Sequence, residues 1–396
     1  MIAPGGGASG PSEARQGRAA EPHVRLSIGV PAYNQGRYLR QTIESLLAQT
    51  HPPYEIVVSD NHSTDETPAV IEEFKDLVRI IRPPTHLDVY PHFDFLVGHL
   101  QGDWASILSS DDVAFPHFVE SMQEGARASE RAVLVRADYE RIDGEGRAFA
   151  AVRLKGIRRV SSPPENFYEQ LRRPKTGFAS FAVRVSAWRD VGGFGKEVVY
   201  LGDWSFWLRI SPCGDFVHVP RMVSQYRSNY RPSIDRERLG QTLRDEVVLR
   251  HAIIPRVASI LGVAGDARLR RASRSRCHDV LRTIEKLLPV RDRPAAIATV
   301  GEWVSETGLG LSVRLLQAGR RIPRELGYAG LVLQTIRDCL GMQPREGGRP
   351  PSPATMKSPA RQGHVRLPEP ARGSSDPEAV RMQMGTSTGG RRHEGQ

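Results

Sequence analysis

The segment ILSSDDVAFP, from Ile107 to Pro116, sets two adjacent carboxylates, Asp111 and Asp112, directly after the apolar run Trp104 to Leu108. Two acids this close at the end of a buried strand repel each other and raise each other's pKa unless a cation or a set of donors compensates. A hard divalent ion, Mg2+ or Mn2+, would account for them, because such ions keep only one or two protein carboxylates and complete their shell from phosphate and water. The competing reading is a solvated turn ahead of the helix that begins near Pro116.

Two other polar segments have the same character. SDNHSTDET, Ser59 to Thr67, places Asp60 at the last position of a strand, where a carboxylate can accept a hydrogen bond from a nucleobase imide N–H. An Asx-turn feeding a helix N-cap accounts equally well for Ser63, Thr64 and Asp65. In VPAYNQGRYL, Pro31 ends a strand and Gly36 permits a tight turn. Tyr33 is an aromatic in a loop, fit either to lie on a base or ribose or to pack.

Regular elements have to carry these loops. VRLSIGV, EIVVSD, LVRII and WASIL read as strands, and Leu39, Ile43, Leu46 and Leu47 recur at helical spacing between the first two. Further helices are expected from about Thr67 to Phe74 and around Phe93 to Leu100. Strand alternating with helix at this pace predicts parallel strands joined by crossover helices. In such sheets ligands bind beyond the carboxyl ends of the strands, which is where PAYNQG, SDNHSTDET and SSDD fall. A helix to about Ala128, a hairpin turning at Asp143-Gly144, a strand and short helix in FASFAVRVSAWRDVGGFG, and a helix starting at GDWSFWLRI complete the pattern. FVHVP and the SQYR run close the domain near Pro232.

The expected organisation is a disordered segment 1–22, an α/β domain 23–233, a helical region 234–342 and a disordered tail 343–396. Leu239, Leu243, Val247 and Val248 share one helix face, and similar stripes run through Val280 to Leu288, Ile297 to Val304 and Leu331 to Leu340. The two ends are rich in Gly, Pro and Ser and lack hydrophobic periodicity.

Of the 396 residues 39% are hydrophobic, enough for a real core, and the formal charge is +10 from 55 basic and 45 acidic residues. That balance suits nucleic acid, anionic lipid or phosphorylated substrates without choosing among them. No helix-turn-helix, zinc-finger or aromatic RNA-binding signature occurs, so no nucleic-acid partner is expected. Cys213, Cys277 and Cys339 match no zinc spacing and read as free thiols in a reducing compartment. No signal-peptide core and no uncharged apolar run of about 18 residues is found, which predicts a cytoplasmic protein without a membrane span. A glycine-rich dinucleotide fingerprint, a GxxxxGKS/T phosphate loop and a GxSxG elbow are all missing, which argues against hydride transfer, P-loop hydrolysis and a serine hydrolase.

Taken in order, LSIGVPAYNQGRYLRQTIESLLAQTHPPYEIVVSDNHSTDET, ILSSDDVAFP and VGGFGKEVVYLGDWSFWLRI resemble a family 2 glycosyltransferase of the GT-A fold, over about Val24 to Pro232. The resemblance implies a Rossmann-like, mostly parallel sheet flanked by helices. It also implies inverting transfer of a sugar from a nucleoside diphosphate, UDP or dTDP favoured, to an acceptor hydroxyl, with Mg2+ or Mn2+. Carried over by position, Pro31, Ala32, Tyr33 and Asn34 line the nucleoside pocket and Asp60 binds the base. Asp111 matches the metal-binding acid, with Ser109 in place of the usual first acid, and Ser110 and Asp112 take secondary donor contacts.

Asp203 in GDW matches the second acid of a Glu-Asp pair and becomes the catalytic base, with Gly202 where Glu is usual. An acid at a helix start is also favoured by the macrodipole alone. QYRSN resembles a closing Tyr-Arg-x-His element, with Asn229 in place of His; Arg227 then meets the diphosphate or is an ordinary surface arginine. Trp204 and Trp207 stack on an acceptor sugar or fill core, and His62, His86, His92 and His218 read as loop or satisfied core residues. The resemblance places the enzyme in polysaccharide, lipid-linked glycan or glycoconjugate synthesis, with a glycan, lipid-linked or small-molecule acceptor. It leaves peripheral attachment to the anionic inner face of a membrane open. A non-catalytic sugar-nucleotide-binding protein and a nucleotidyltransferase are the alternatives.

Overall fold

The run Leu26–Ala32 (β1) is buried at every position and pairs in parallel with Glu55–Asp60 (β2) on one side. On β2's outer edge lies Arg79–Ile81 (β3), and on the other side of β1 lies Trp104–Ile107 (β4), both parallel. Leu26, Ile28, Val30 and Ala32 face one core, and the small residues between them let the other face pack closely, a Cβ at Gly29 meeting Leu96 at 2.8 Å. The crossovers are Gly36–Leu47 (α1), Thr67–Glu73 (α2) and Val89–Gly98 (α3). This computed structural model describes residues 24–228 and 236–307, with Leu309 and Gln317. The segments 1–22 and 343–396, Asn229, Cys339 and the stripe Leu331 to Leu340 lie outside the described residues.

Beyond β4 the chain forms Val113–Ala114 (β5), Phe118–Arg127 (α4), Ala132–Ile142 (β6), Ala148–Val152 (β7), Val160–Ser161 (β8) and Glu165–Gln170 (α5). Phe181–Arg184 (β9), Val185–Asp190 (α6), Gly202–Ile210 (α7) and Asp215–Arg227 (β10) follow. The ten-stranded sheet has the order β3-β2-β1-β4-β9-β6-β10-β5, with β7 on β6 and β8 on β10. The expected α/β arrangement is present: β1, β2, β3, β4, β6 and β10 run in one direction, with antiparallel strands set among and beside them. β9 runs antiparallel to both β4 and β6, and β5, β7 and β8 are antiparallel to their partners. Because β9 opposes β4, it begins beside β4's carboxyl end, so the segment 171–180 enters the sheet at the crevice edge.

FVHVP and SQYR form a single strand, β10, which absorbs Pro220 through register shifts between Val219 and Met222 and again before Gln225. One core, with Leu39, Ile43, Leu46, Phe118 and Met122, covers one sheet face; a second, with Leu96, Trp188, Phe206 and Trp207, covers the other.

The helices Arg236–Val248 (α8), Ile254–Ile260 (α9), Ala267–Leu287 (α10), Arg293–Thr299 (α11) and Gly301–Thr307 (α12) build on the α/β unit. Leu239, Leu243, Val280, Leu281, Ile284 and Val300 form their own core. A second cluster joins Phe167, Leu171, Trp204 and Leu208 to Leu249, Ile253 and Val257, fastening these helices to α5 and α7. Among the described residues no helix is long and apolar enough to cross a membrane.

Candidate active site

Register brings the three loops together. Ala32 faces Asp60, the Asn61 N–H donates to the Ala32 carbonyl at 2.9 Å, and the Leu108 N–H donates to the Gly29 carbonyl at 3.0 Å. Pro31 and Ala32 are buried at the end of β1, while Tyr33 and Asn34 are exposed. The Tyr33 ring lies 4.6 Å from that of His86. Asn34 adopts φ 51°, a left-handed conformation that Asn tolerates, and its Oδ1 accepts the Thr64 N–H at 2.8 Å.

Asp65 accepts the Gly36 N–H at 3.1 Å on one oxygen and the Thr67 N–H at 2.9 Å on the other, tying the starts of α1 and α2 together. Burial pushes its pKa up, but these bonds outweigh it and the net shift is downward. Asp60 is buried, accepts the Ser63 N–H at 3.0 Å and has Arg82 3.7 Å away.

The acid pair divides. Asp112 is fully buried: its Oδ1 accepts the Arg227 N–H at 2.8 Å and its Oδ2 has no hydrogen-bond partner. Burial first, and the Asp111 charge second, hold its pKa well above the carboxylate range. Its predicted ligand contact is therefore corrected to an internal brace. Ser110 is also buried, with the Thr42 hydroxyl shared between its carbonyl at 3.0 Å and that of Asp112 at 2.7 Å. Asp111 is half-buried, with its pKa raised by burial against the pull of Arg227.

Arg227 is buried, and its guanidinium donates to the carbonyls of Asp111 at 2.8 Å, Asp143 at 3.0 Å and Gly144 at 3.3 Å, and to Gln41 Oε1 at 2.9 Å. It clamps the hairpin turn onto the SSDD loop. Four of its five N–H groups are thereby committed within the protein, so neither the diphosphate contact nor the surface reading describes it.

Among the described residues no three His, Cys, Asp or Glu side chains converge on a common point. A preformed zinc-type centre is thus not built here. One accessible carboxylate, Asp111, does fit a Mg2+ or Mn2+ ion whose other ligands are phosphate and water.

Asp203 lies in the first turn of α7, where its Oδ1 accepts the Trp204 N–H at 2.7 Å, and burial lifts its pKa from 3.8 to about 6. The Tyr90 ring packs against Gly202 so closely that a Cβ there would sit 2.3 Å from Tyr90 Cε2. Tyr90 thus occupies the space a larger residue 202 would need. Tyr139 links the two acid regions: burial raises its pKa, Arg141 opposes, and the charges of Asp203 and Asp112 both add to the rise. Tyr226 meets Tyr139 edge-to-face at 6.2 Å and is raised by burial and then by the Asp112 and Asp111 charges.

The approach to α7 is held from outside the α/β unit. Asp245 of α8 is buried, and its Oδ2 accepts three consecutive N–H groups, from Val199 at 3.0 Å, Tyr200 at 2.6 Å and Leu201 at 3.1 Å. Arg209, at the far end of α7, donates to the carbonyls of Val191 and Gly193 at 2.7 Å each, fixing the glycine turn. Asp245 carries no motif and lies 42 positions after Asp203, so nothing in local spacing could reveal it; Tyr139 sits in a strand-like run that looks purely structural.

Trp204 is buried, donating from Nε1 to the Gln170 carbonyl at 2.7 Å, and Trp207 is fully buried against Phe181 and Phe206. Both rings therefore follow the core-filling alternative rather than acceptor stacking, since neither reaches the surface. His62, His86, His92 and His218 hydrogen-bond Pro83, Asn61, Ser59 and Asp138 respectively. Cys213 and Cys277 are free thiols.

A family model described as glycosyl transferase family 2 matches residues 27–187. An uncharacterized glycosyltransferase of Rickettsia conorii is 25% identical over 191 residues, 48% of this chain and 31% of its own. Glycosyltransferase GlyG of Streptococcus pneumoniae is 24% identical over 124 residues, 31% of this chain and 41% of its own. The chain thus spans well under half the length of these two relatives. The crystal structure of S. aureus TarS in complex with UDP-GlcNAc superposes with a TM-score of 0.50 at 13% identity, covering 76% of this chain and 93% of that one. A likeness at that identity concerns the fold alone.

Proposed function

We propose that the chain, whose residues 27–187 match the family 2 glycosyltransferase model and whose fold is GT-A, is a glycosyltransferase of that family that transfers a sugar from a nucleoside diphosphate to an acceptor hydroxyl with inversion at the anomeric carbon. The observation that carries this reading is geometric: strand register and the Asn61 and Leu108 N–H bonds gather the three polar loops at the ends of β1, β2 and β4, and Asp203, at a helix start with its pKa raised by burial to about 6, supplies a base. A general base works best with a pKa near the working pH.

The nucleoside rests against Tyr33 and the ends of β1 and β2, with Asp60 receiving the imide N–H of uracil or thymine. UDP-sugar is the favoured donor, with dTDP-sugar next; the UDP-GlcNAc bound by TarS supports the first. Asp111 would hold a divalent cation, which supplies charge neutralisation on the departing diphosphate. Asp203 takes the acceptor proton as its oxygen attacks from the face opposite the leaving group. Tyr139, within reach of the Asp203 and Asp112 charges, and Tyr226 beside it lie next to the acids. Asp112 and Arg227 keep the SSDD loop and the hairpin turn in place, acting through backbone rather than ligand. Residues 23–233 are assigned as the catalytic domain and 234–342 as a second region, whose helices within 236–307 support it through Asp245. The acceptor is a glycan, a lipid-linked glycan or a small molecule of surface-polysaccharide or glycoconjugate synthesis.

A thermal-shift panel of UDP-, dTDP- and GDP-sugars with and without Mn2+, followed by NMR of the product's anomeric proton, tests the reading. Stabilisation by a uridine or thymidine donor and an inverted product are expected. No stabilisation by any sugar nucleotide would remove the assignment, and binding without turnover of donor would leave only a binding module.

A further inference from the structure

Helices α9 and α10, the end of α12 and Leu171 after α5 enclose a cavity of about 420 Å3 that shares no lining residue with the candidate active site. That volume lies within the range of small-ligand sites. Its wall is apolar at Leu171, Ile254, Pro255, Ala258 and Leu269, and basic at Arg250, Arg270, Arg271 and Arg274. Among the described lining residues four are arginines and one is an acid. Glu306 is the one acid among the described lining residues, and it lies 3.8 Å from His251. Glu246 serves two arginines at once, Arg250 at 3.8 Å and Arg276.

Arg274 donates to the Thr307 carbonyl, while its Nε is buried without a partner; Arg270 reaches the Gly265 carbonyl at 3.3 Å. Arg271 makes no ion pair among the described residues and is exposed. Burial lowers the pKa of Arg274.

We propose that this cavity binds a single-chain amphiphile with an anionic head group, its chain against Ile254, Pro255, Ala258 and Leu269 and its phosphate or carboxylate at Arg270, Arg271 and Arg274. An apolar wall alone would accept any hydrocarbon. The arginine rim, three cations against the single acid Glu306, selects a negative head through charge-assisted hydrogen bonds. The site is independent of the glycosyl-transfer reading and stands or falls separately from it.

Titration calorimetry of the full chain with monomeric 1-oleoyl lysophosphatidate, below its micelle concentration, tests the proposal. Saturable one-to-one binding is expected, weakened about tenfold or more in Arg270→Ser/Arg271→Ser and in Ala264→Trp, which fills the cavity from an exposed position, and about as much for uncharged 1-oleoyl glycerol. Circular dichroism melts confirm that the variants fold. Equal binding by the wild-type and variant proteins would overturn the site. So would association only with anionic vesicles, abolished by salt and insensitive to Ala264→Trp, because that places the contact on the basic helix surface.

Discussion

The loops at the ends of β1 and β2 and the start of α7 treat their carboxylates in opposite ways. In the first region Asp65 bridges Gly36 and Thr67 and its pKa falls, while Asp60 sits between the Ser63 N–H and Arg82. In the second, Asp203 keeps a single hydrogen bond from Trp204, and burial raises its pKa to about 6. A carboxylate that accepts on both oxygens, as Asp65 does, is a structural part; one with a single donor and partial burial, such as Asp203, is poised to take a proton. The SSDD loop fits neither pattern: Asp112 is buried with one donor, the Arg227 N–H, and its pKa is raised, while Asp111 stays accessible.

The contrast is tested most severely at Asp203. Asp203→Asn should lower transfer by about 10²–10⁴-fold with donor affinity retained, measured by turnover and calorimetry. The same variant should be more stable than the parent at pH 7.5. A carboxyl whose folded pKa is raised favours folding in its protonated form, and that advantage disappears as pH rises from 3.8 through about 6. Melting temperatures should therefore separate above pH 6 and converge below pH 4. Equal melting at pH 7.5 would mean Asp203 is not desolvated.

Asp111→Ala should come next, weakening UDP-sugar binding by about tenfold or more and removing its dependence on Mn2+, because the ion loses its protein ligand. Unchanged Mn2+ dependence would move the metal elsewhere.

Asp245→Ala sharpens the comparison, since it unpairs three N–H groups ahead of α7 without touching Asp203. A loss of roughly 1–3 kcal/mol in stability is expected, together with a fall in kcat of about tenfold and little change in donor KM, because displacement of the base by a fraction of an ångström is enough. A KM effect larger than the kcat effect would contradict a positioning role.

The smallest effect belongs to the other region. Asp65→Ala should cost about 1 kcal/mol, the size of a lost helix cap, and leave kcat within about threefold. A larger drop in kcat would make Asp65 part of the chemistry.

Much of this was legible in the sequence where one pattern dominates its surroundings. β1, β2 and α1 follow from apolar runs and helical spacing, and PAYNQG, SDNHSTDET and SSDD sit at strand ends as read. The two-residue strands β5 and β8 are too short to leave a pattern, and β9's antiparallel course depends on which edge the chain enters from. Adjacent residues such as Asp111 and Asp112 share every sequence property, so which of them turns inward is decided by the Arg227 N–H, 115 positions away. Trp204 and Arg227 carry chemistry suited to a sugar or a phosphate, yet packing places both inside. Gly202 is explained by a residue more than a hundred positions earlier, Tyr90, which fills the volume above it.

The pH dependence of kcat/KM for sugar transfer, measured in the parent and in Asp203→Asn, tests the central claim most directly. An ascending limb with an apparent pKa near 6 is expected in the parent, with the limb absent from the residual activity of the variant. A parent profile flat down to pH 4.5, or the same limb surviving in Asp203→Asn, would contradict the assignment of Asp203 as the base.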